Sequence, residues 1–256
     1  MLFAGIDAGS RAVKIILIEE DGRVVARKTC DQGTQQEART AVLLDQALQG
    51  VNRERGDIRR CVATGYGRNF INFADSTVTE ITCHARGVRR VCPDAMTVVE
   101  IGGQDSKLIR LDPPPGTVRD FAMNDRCAAG TGRFLEVVAA RLDVGLEDLG
   151  RLARESQKPA AISSMCVVFA ETEIVGLLAS GTAPSDIVAG VQVSIAKRVV
   201  AMAGRNVDEP VVFTGGVALL SEMAGAVSAA LGRNVSVAPE PQYTGALGAA
   251  LIAAGA

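Results

Sequence analysis

The feature that most constrains this chain is a pattern of strands and glycine turns that runs once and then starts again. Leu2–Asp7 is an apolar run ending in an acid and a Gly-Ser loop, and Val13–Glu19 follows it. Asp21-Gly22 is a hairpin signal ahead of a third run, Arg23–Lys28. Residues 34–54 have helical composition, and Arg60–Thr64 reads as a strand stopped by Gly65-Tyr66-Gly67. A helix around Cys83–Val91 closes this half near Pro93. The order then returns: Thr97–Ile101 ends in Gly102-Gly103, Lys107–Leu111 follows, Pro113-Pro114-Pro115-Gly116 turns the chain, and Thr117–Met123 is the third strand. Helices are expected over 130–142, 167–180 and 185–204. Val211–Phe213 reads as a strand closed by Gly215-Gly216, followed by helices over about 217–231 and over Thr244–Ala254.

The repeat is unequal. The stretch from the first glycine junction to the second is far longer in the second half, and Cys127 and Cys166 both lie inside it. A duplicated fold whose extra material carries two cysteines points to function there. A tolerated insertion with core cysteines is the plain alternative.

Composition narrows the classes. With 48 % apolar residues in 256, the chain can bury a core for one large domain or two modest ones. A formal net charge of −2 supplies no basic field for nucleic acid, and the absence of Trp weakens any base-stacking platform. The start of the chain runs directly from Phe3-Ala4-Gly5 to Asp7, and no uncharged stretch reaches the roughly 18 residues that a membrane span needs. This predicts a cytoplasmic protein. In a reducing compartment the six cysteines are not a disulfide framework, and none forms a C-x-x-C pair of the zinc-ribbon kind.

Four glycine turns bear on phosphate chemistry. Gly5-Ile6-Asp7-Ala8-Gly9-Ser10 ends the first strand, with Lys14 shortly after. Glycine lets backbone N–H groups face phosphate oxygens, and a hydroxyl such as that of Ser10 adds a donor. The acid can hold Mg²⁺ through water, and Lys14 can offset phosphate charge. One such loop is as often an ordinary β-turn. Glu100-Ile101-Gly102-Gly103-Gln104-Asp105 repeats the logic in the second half, Thr214-Gly215-Gly216-Val217 ends a strand and opens a helix, and Gln242-Tyr243-Thr244-Gly245 opens the last helix. Neither a Walker loop nor G-x-G-x-x-G is present, which excludes the P-loop and Rossmann readings.

The order of these motifs resembles the superfamily of actin, Hsp70 chaperones and sugar kinases. The resemblance implies an α/β, duplicated ribonuclease-H-like fold of two domains with ATP or ADP in the cleft between them. On that reading the N-terminal domain covers 1–95 and is joined by the C-terminal helix 243–256, and the second domain covers 96–242. Asp7 with Asp105 or Glu100 would flank Mg²⁺ and the attacking water. Gly9, Ser10, Arg11, Lys14, Gly102, Gly103, Gln104, Gly215, Gly216, Val217 and Gln242 would contact the nucleotide.

Cys127 sits in Asn124-Asp125-Arg126-Cys127-Ala128-Ala129-Gly130-Thr131-Gly132, and Cys166 in Ser163-Ser164-Met165-Cys166-Val167-Val168, each just ahead of a helical run. A helix N-terminus favours a thiolate, and would equally stabilise an anionic iron–sulfur cluster. Two thiolates cannot complete a cubane, whereas a two-fold dimer presents each cysteine twice. Two unremarkable thiols are the alternative.

These segments, with Ala63-Thr64-Gly65-Tyr66-Gly67-Arg68-Asn69 and Ile101-Gly102-Gly103-Gln104-Asp105, resemble the activators of 2-hydroxyacyl-CoA dehydratases, in a wider family that includes the ATPase subunits of benzoyl-CoA reductases. The similarity runs from about Gly5 to Ala250. It implies a homodimer in which Cys127 and Cys166 of both copies hold one 4Fe–4S cluster. It also implies ferredoxin or flavodoxin as donor, and as acceptor an iron–sulfur dehydratase or reductase component, a benzoyl-CoA reductase and a double-cubane protein included. A small-molecule kinase or an actin-like filament protein of the same fold are the readings from other classes. Two positions depart from the pattern: Glu100 stands where Asp is usual, and Arg11 where a small or hydroxylic residue is common. Cys30, Cys61, Cys83 and Cys92 read as structural, His84 as a satisfied or exposed histidine, and Arg86, Arg89 and Arg90 as a solvated face.

Overall fold

The computed structural model describes every residue except 114, 115, 164, 165, 205, 206 and 256. The expected Pro114-Pro115 turn and the Ser164-Met165 approach to the second cysteine therefore lie outside the described residues.

In chain order the elements are β1 (Leu2–Ala8), β2 (Ala12–Glu19), β3 (Val24–Asp31), α1 (Gln36–Gln49), β4 (Ile58–Thr64), β5 (Ser76–Thr77) and α2 (Glu80–Val91). There follow β6 (Thr97–Ile101), β7 (Ser106–Leu111), β8 (Val118–Asn124), α3 (Gly132–Leu142), α4 (Asp148–Arg154), α5 (Val167–Ala179) and α6 (Pro184–Ala203). The chain ends with β9 (Val211–Thr214), α7 (Met223–Leu231), β10 (Val235–Val237) and α8 (Thr244–Ala253). Among the described residues no helix is long and apolar enough to cross a membrane.

One sheet runs β3-β2-β1-β4-β5 and the other β8-β7-β6-β9-β10, so the second repeats the strand order of the first. In both, the first strand pairs antiparallel with the second and parallel with the fourth. The two central strands β1 and β6 are buried along their whole length, which suits near-continuous apolar sequence between two neighbours. β3 lies at an edge, and its exposed Arg27 and Lys28 are the charges that discourage pairing with another chain.

The chain divides into two compact units: Met1–Ala95 with Leu111–Arg119 and Ala238–Ala256, and Met96–Arg110 with Asp120–Val237. In the first unit, one sheet face packs Ile6, Ile15 and Leu17 against Leu43, Leu44 and Leu48 of α1. The other face packs Phe3, Ile16 and Ile18 against α8, which is apolar all round because it is buried all round. Backbones touch there: a Cβ at Gly5 would lie 2.0 Å from the Ala246 oxygen, and one at Gly248 would lie 1.8 Å from the Cys83 oxygen. The core of the second unit joins Leu108, Phe134, Val138, Ile174, Ile187, Ile195 and Phe213.

Three short elements, α4, β5 and β10, have no periodic apolar run long enough to announce them. The single helix expected over 217–231 is broken. A 3₁₀ turn covers Gly216–Leu219, and Glu222 adopts φ +70 before α7 begins. The helix expected over 34–54 stops at Gln49, ahead of Gly50 and of Asn52 at φ +54.

Candidate functional site

The repeat of the fold places one polar arrangement twice. In the first unit Asp7, at the end of β1, faces Lys14 across the β1–β2 ladder and Thr64 across the β1–β4 ladder. In the second unit Glu100 faces Lys107 and Thr214 in the same two directions. The ammonium of Lys14 lies 3.2 Å from Asp7 Oδ2, and that of Lys107 lies 3.0 Å from Glu100 Oε2. Each threonine is followed by a glycine in the left-handed region, Gly65 at φ +94 and Gly215 at φ +91. A Cβ at Gly65 would sit 2.6 Å from Asp7 Oδ1, and one at Gly215 2.6 Å from Glu100 Oε1, so both carboxylates press against bare backbone. This register makes Gly102 the counterpart of Gly9. The Gly9 N–H donates to the Ala12 oxygen at 3.1 Å and the Gly102 N–H to the Asp105 oxygen at 3.0 Å.

The second copy carries an additional acid. Asp105 stands where the first unit has Ala12, and Lys107 reaches it as well, at 2.8 Å from Oδ2. The Lys107 side chain is 2 % exposed, Glu100 5 % and Asp105 23 %. A buried ammonium is tolerated only with paired anions, and two carboxylates on one lysine leave a net negative site. Glu100 is thus held inside, and Asp105 is the acid of the pair that reaches solvent.

The other nucleotide candidates fall as follows. Gly9 and Ser10 are half-buried, and the Arg11 side chain is exposed while its carbonyl accepts from the Gln32 N–H at 3.0 Å. Gly102 and Gly103 are half-buried and Gln104 is exposed. Gly215 and Val217 are buried, whereas Gly216 is exposed with nothing within 4 Å of its Cβ position. Gln242 lies in the 3₁₀ turn Pro241–Tyr243, and its Oε1 is buried without a hydrogen-bond partner. A buried amide oxygen of that kind is one that a bound ligand would satisfy. Within the first unit, Ser10 and Lys14 beside the buried Asp7 suit a phosphate with Mg²⁺ held through water.

Both cysteine candidates belong to the second unit. Cys127 caps the 3₁₀ turn Ala128–Gly130 that leads into α3. Asn124 clamps its main chain from both sides: Oδ1 accepts from the Cys127 N–H at 3.1 Å, and Nδ2 donates to the Cys127 oxygen at 2.8 Å. Arg198 Nη1 lies 3.8 Å from Cys127 Sγ. Cys166 is exposed and caps the N-terminus of α5. Two thiols at helix-start positions, one beside a guanidinium, suit the ligation of an anionic metal cluster. The remaining thiols do not: burial pushes Cys61 and Cys83 up to about 12, and raises Cys30 and Cys92 as well.

The glycine turn and the first cysteine are joined by main chain. The N–H groups of Gly132 and Arg133, at the start of α3, donate to the carbonyls of Gly102 and Gly103 at 2.9 and 2.8 Å. Cys127 lies on the short turn immediately before that helix. Lys107, Asn124 and Arg198 escaped the sequence reading. Lys107 was nevertheless signalled, because its spacing from Glu100 repeats that of Lys14 from Asp7.

Two sheets of one repeated strand order, each with an acid–glycine turn, define the actin and sugar-kinase class of α/β proteins. A ROK family glucokinase from Streptomyces griseus has the same fold, with a TM-score of 0.62 over 100 % of both chains at 14 % identity. Residues 4–253 match the BadF/BadG/BcrA/BcrD ATPase family, and the chain belongs to it. It is 43 % identical over 254 residues to the activator of lactoyl-CoA dehydratase of Anaerotignum propionicum, which covers 99 % of this chain and 97 % of that relative. The crystal structure of the (R)-2-hydroxyglutaryl-CoA dehydratase component A of Acidaminococcus fermentans matches with a TM-score of 0.94 at 42 % identity, over 100 % of this chain and 98 % of that one. The activator of the 2-hydroxyisocaproyl-CoA dehydratase from Clostridium difficile with bound ADPNP matches with a TM-score of 0.94 at 41 % identity, over 100 % and 95 %.

Proposed function

We propose that this chain is an ATP-hydrolysing electron-transfer activator. It would act as a homodimer in the cytoplasm, take electrons from ferredoxin or flavodoxin, and deliver them to an iron–sulfur dehydratase or reductase component. The carrying observation is the pair of main-chain hydrogen bonds from Gly132 and Arg133 to Gly102 and Gly103. The glycine turn cannot shift without carrying the start of α3, and with it the turn that bears Cys127, or breaking two hydrogen bonds. That is the linkage an ATPase needs if nucleotide state is to alter a redox centre.

Each residue has a part. The N–H groups of Gly103, Gly215 and Gly216 would face the nucleotide, which Gly9 and Gly102, their own N–H groups held by the Ala12 and Asp105 oxygens, would approach through bare Cα, with Ser10 and Lys14 as further donors to phosphate and Val217 and Gln242 beside the nucleoside. Asp7 and Asp105 would hold Mg²⁺ through its water, and Asp105, the more exposed acid of its pair, would orient the attacking water. Glu100 keeps Lys107 in place beneath it. Arg11 and Gln104 are exposed and would meet phosphate only from the solvent side. Cys127 and Cys166 would each supply a thiolate, and their copies in the second protomer would complete four. The 4Fe–4S cluster held this way supplies a one-electron couple at the protein surface. Asn124 and Arg198 fix the main chain and the sulfur environment of Cys127.

The test is iron and acid-labile sulfide on protein purified without oxygen, together with nucleotide binding. About four of each per dimer is expected for one cubane. Cys127→Ser and Cys166→Ser should each lose the iron and still bind ADP. Iron retained in both single variants, or absent from the reconstituted wild type while ATP still binds, would overturn the reading in favour of a kinase of this fold.

A further inference from the structure

His84 is the only histidine of the chain, and at 5 % exposure it is buried on α2. Its Nδ1 lies 3.0 Å from Thr244 Oγ1, and the Thr244 hydroxyl donates to the Pro241 oxygen at 3.2 Å. With its proton given to Pro241, the Thr244 oxygen accepts at the other contact, so Nδ1 of His84 carries hydrogen and donates. This ladder fixes the ring and turns its Cε1–Nε2 edge toward α8. A Cβ at Gly245 would sit 3.2 Å from both of those atoms and 3.3 Å from Asp7 Oδ2. The imidazole edge and the carboxylate therefore both border the space beside the bare Cα of Gly245. The backbones of α2 and α8 approach closely beside it, where a Cβ at Gly87 would lie 1.9 Å from the Thr244 oxygen.

We propose that His84 is a positioning residue for Asp7. Its Nε2 accepts from a bridging water whose other hydrogen is donated to Oδ2 of the carboxylate, while Lys14 holds the same oxygen from β2. Thr244 orients the ring, and Gly245 is the glycine that permits the approach. The proposal rests on the reading of Asp7 as an acid that faces the nucleotide's metal.

The conservative pair of variants separates this from a packing role. Asn at position 84 can keep the Nδ1-like bond to Thr244 and lacks the far edge, whereas Gln can place an amide near Nε2. With Mn²⁺ in place of Mg²⁺, His84→Asn should lower the kcat of ATP hydrolysis about tenfold, as loss of a group that orients a metal's partner does, and leave KM for ATP nearly unchanged. The affinity for Mn²⁺ in the presence of ADP, read by electron paramagnetic resonance, should fall in parallel, and His84→Gln should restore most of both. If His84→Asn does not fold, Thr244→Val frees the ring and should give the same kcat-selective loss. Activity that follows melting temperature equally in both His84 variants, or that is unchanged in His84→Asn, overturns the proposal. An inactive wild type would instead overturn the ATPase reading on which it rests.

Discussion

The backbone N–H of Gly132 donates to the carbonyl oxygen of Gly102 at 2.9 Å, fastening the first turn of α3 to the glycine turn at the end of β6. Gly132 is itself close-packed. An added Cβ would meet the Gly102 oxygen at 3.2 Å, Val217 Cγ2 at 3.3 Å and Gly103 Cα at 3.4 Å. Gly132→Ala should keep the fold, since the turn can yield by a few tenths of an ångström and alanine favours the helix by about 0.5–1 kcal/mol. The cost should appear in function. ATP turnover is expected to fall several-fold with little change in melting temperature; wild-type turnover would show that this contact does not set the geometry of the turn.

Lys107 is the counter-ion of two carboxylates in a place water does not reach. Lys107→Met removes the cation and leaves Glu100 buried beside Asp105. Breaking a buried charge set from one side costs about 3–5 kcal/mol, and the half-exposed Asp105 puts the expected loss near the lower figure. Chemical denaturation measures it. Lys14→Met should cost less, because the side chain of Lys14 is 17 % exposed.

The acids of the second unit should separate in the same way. Asp105→Asn is expected to reduce ATP turnover strongly and stability little, because its side chain is the exposed member. Glu100→Gln should reduce stability first, since it withdraws a charge from the buried ammonium of Lys107. Steady-state kinetics and melting temperature on both variants decide between them.

Thiol reactivity separates the two cluster candidates from the two buried cysteines. In iron-free native protein at pH 8, Cys166 is exposed and should be alkylated first, followed by the half-buried Cys127. Cys61 and Cys83, pushed up to about 12 by burial, keep their protons there and should react only after denaturation. Peptide mass spectrometry after a timed quench reads the order. The same shifts give a pH dependence. Unfolded thiols ionise near 9.0 while the two folded ones hold their protons to about 12, so the folded state binds more protons across that window. Stability should therefore be level below pH 9 and fall as pH rises from 9 toward 12. Cys61→Ala with Cys83→Ala should flatten the fall.

Much of this was legible in the sequence because it is local. β6 begins and ends where its apolar run does, and α5 and α6 lie within a residue of their expected limits, since both are long apolar stretches and Gly181 and Pro184 punctuate the chain between them. The acid–glycine turns were legible for the same reason: the acid that ends each central strand and the glycine after it stand in one short stretch. The elements that stayed hidden, α4, β5 and β10, take their structure from neighbours rather than from a pattern of their own.

The repeated strand order, the turns that end its central strands and the two cysteines placed ahead of helices could be read directly from the chain. Each is written in adjacent residues, where backbone preference and side-chain period are enough. Which groups those turns would meet was settled by folding. It buried Lys107 between Glu100 and Asp105, brought His84 to the Asp7 side of Gly245 over an interval of 160 residues between His84 and Thr244, and laid Arg198 beside Cys127. Those pairings depend on strand register and on glycines that let backbones touch, and neither can be read from residues far apart in the chain.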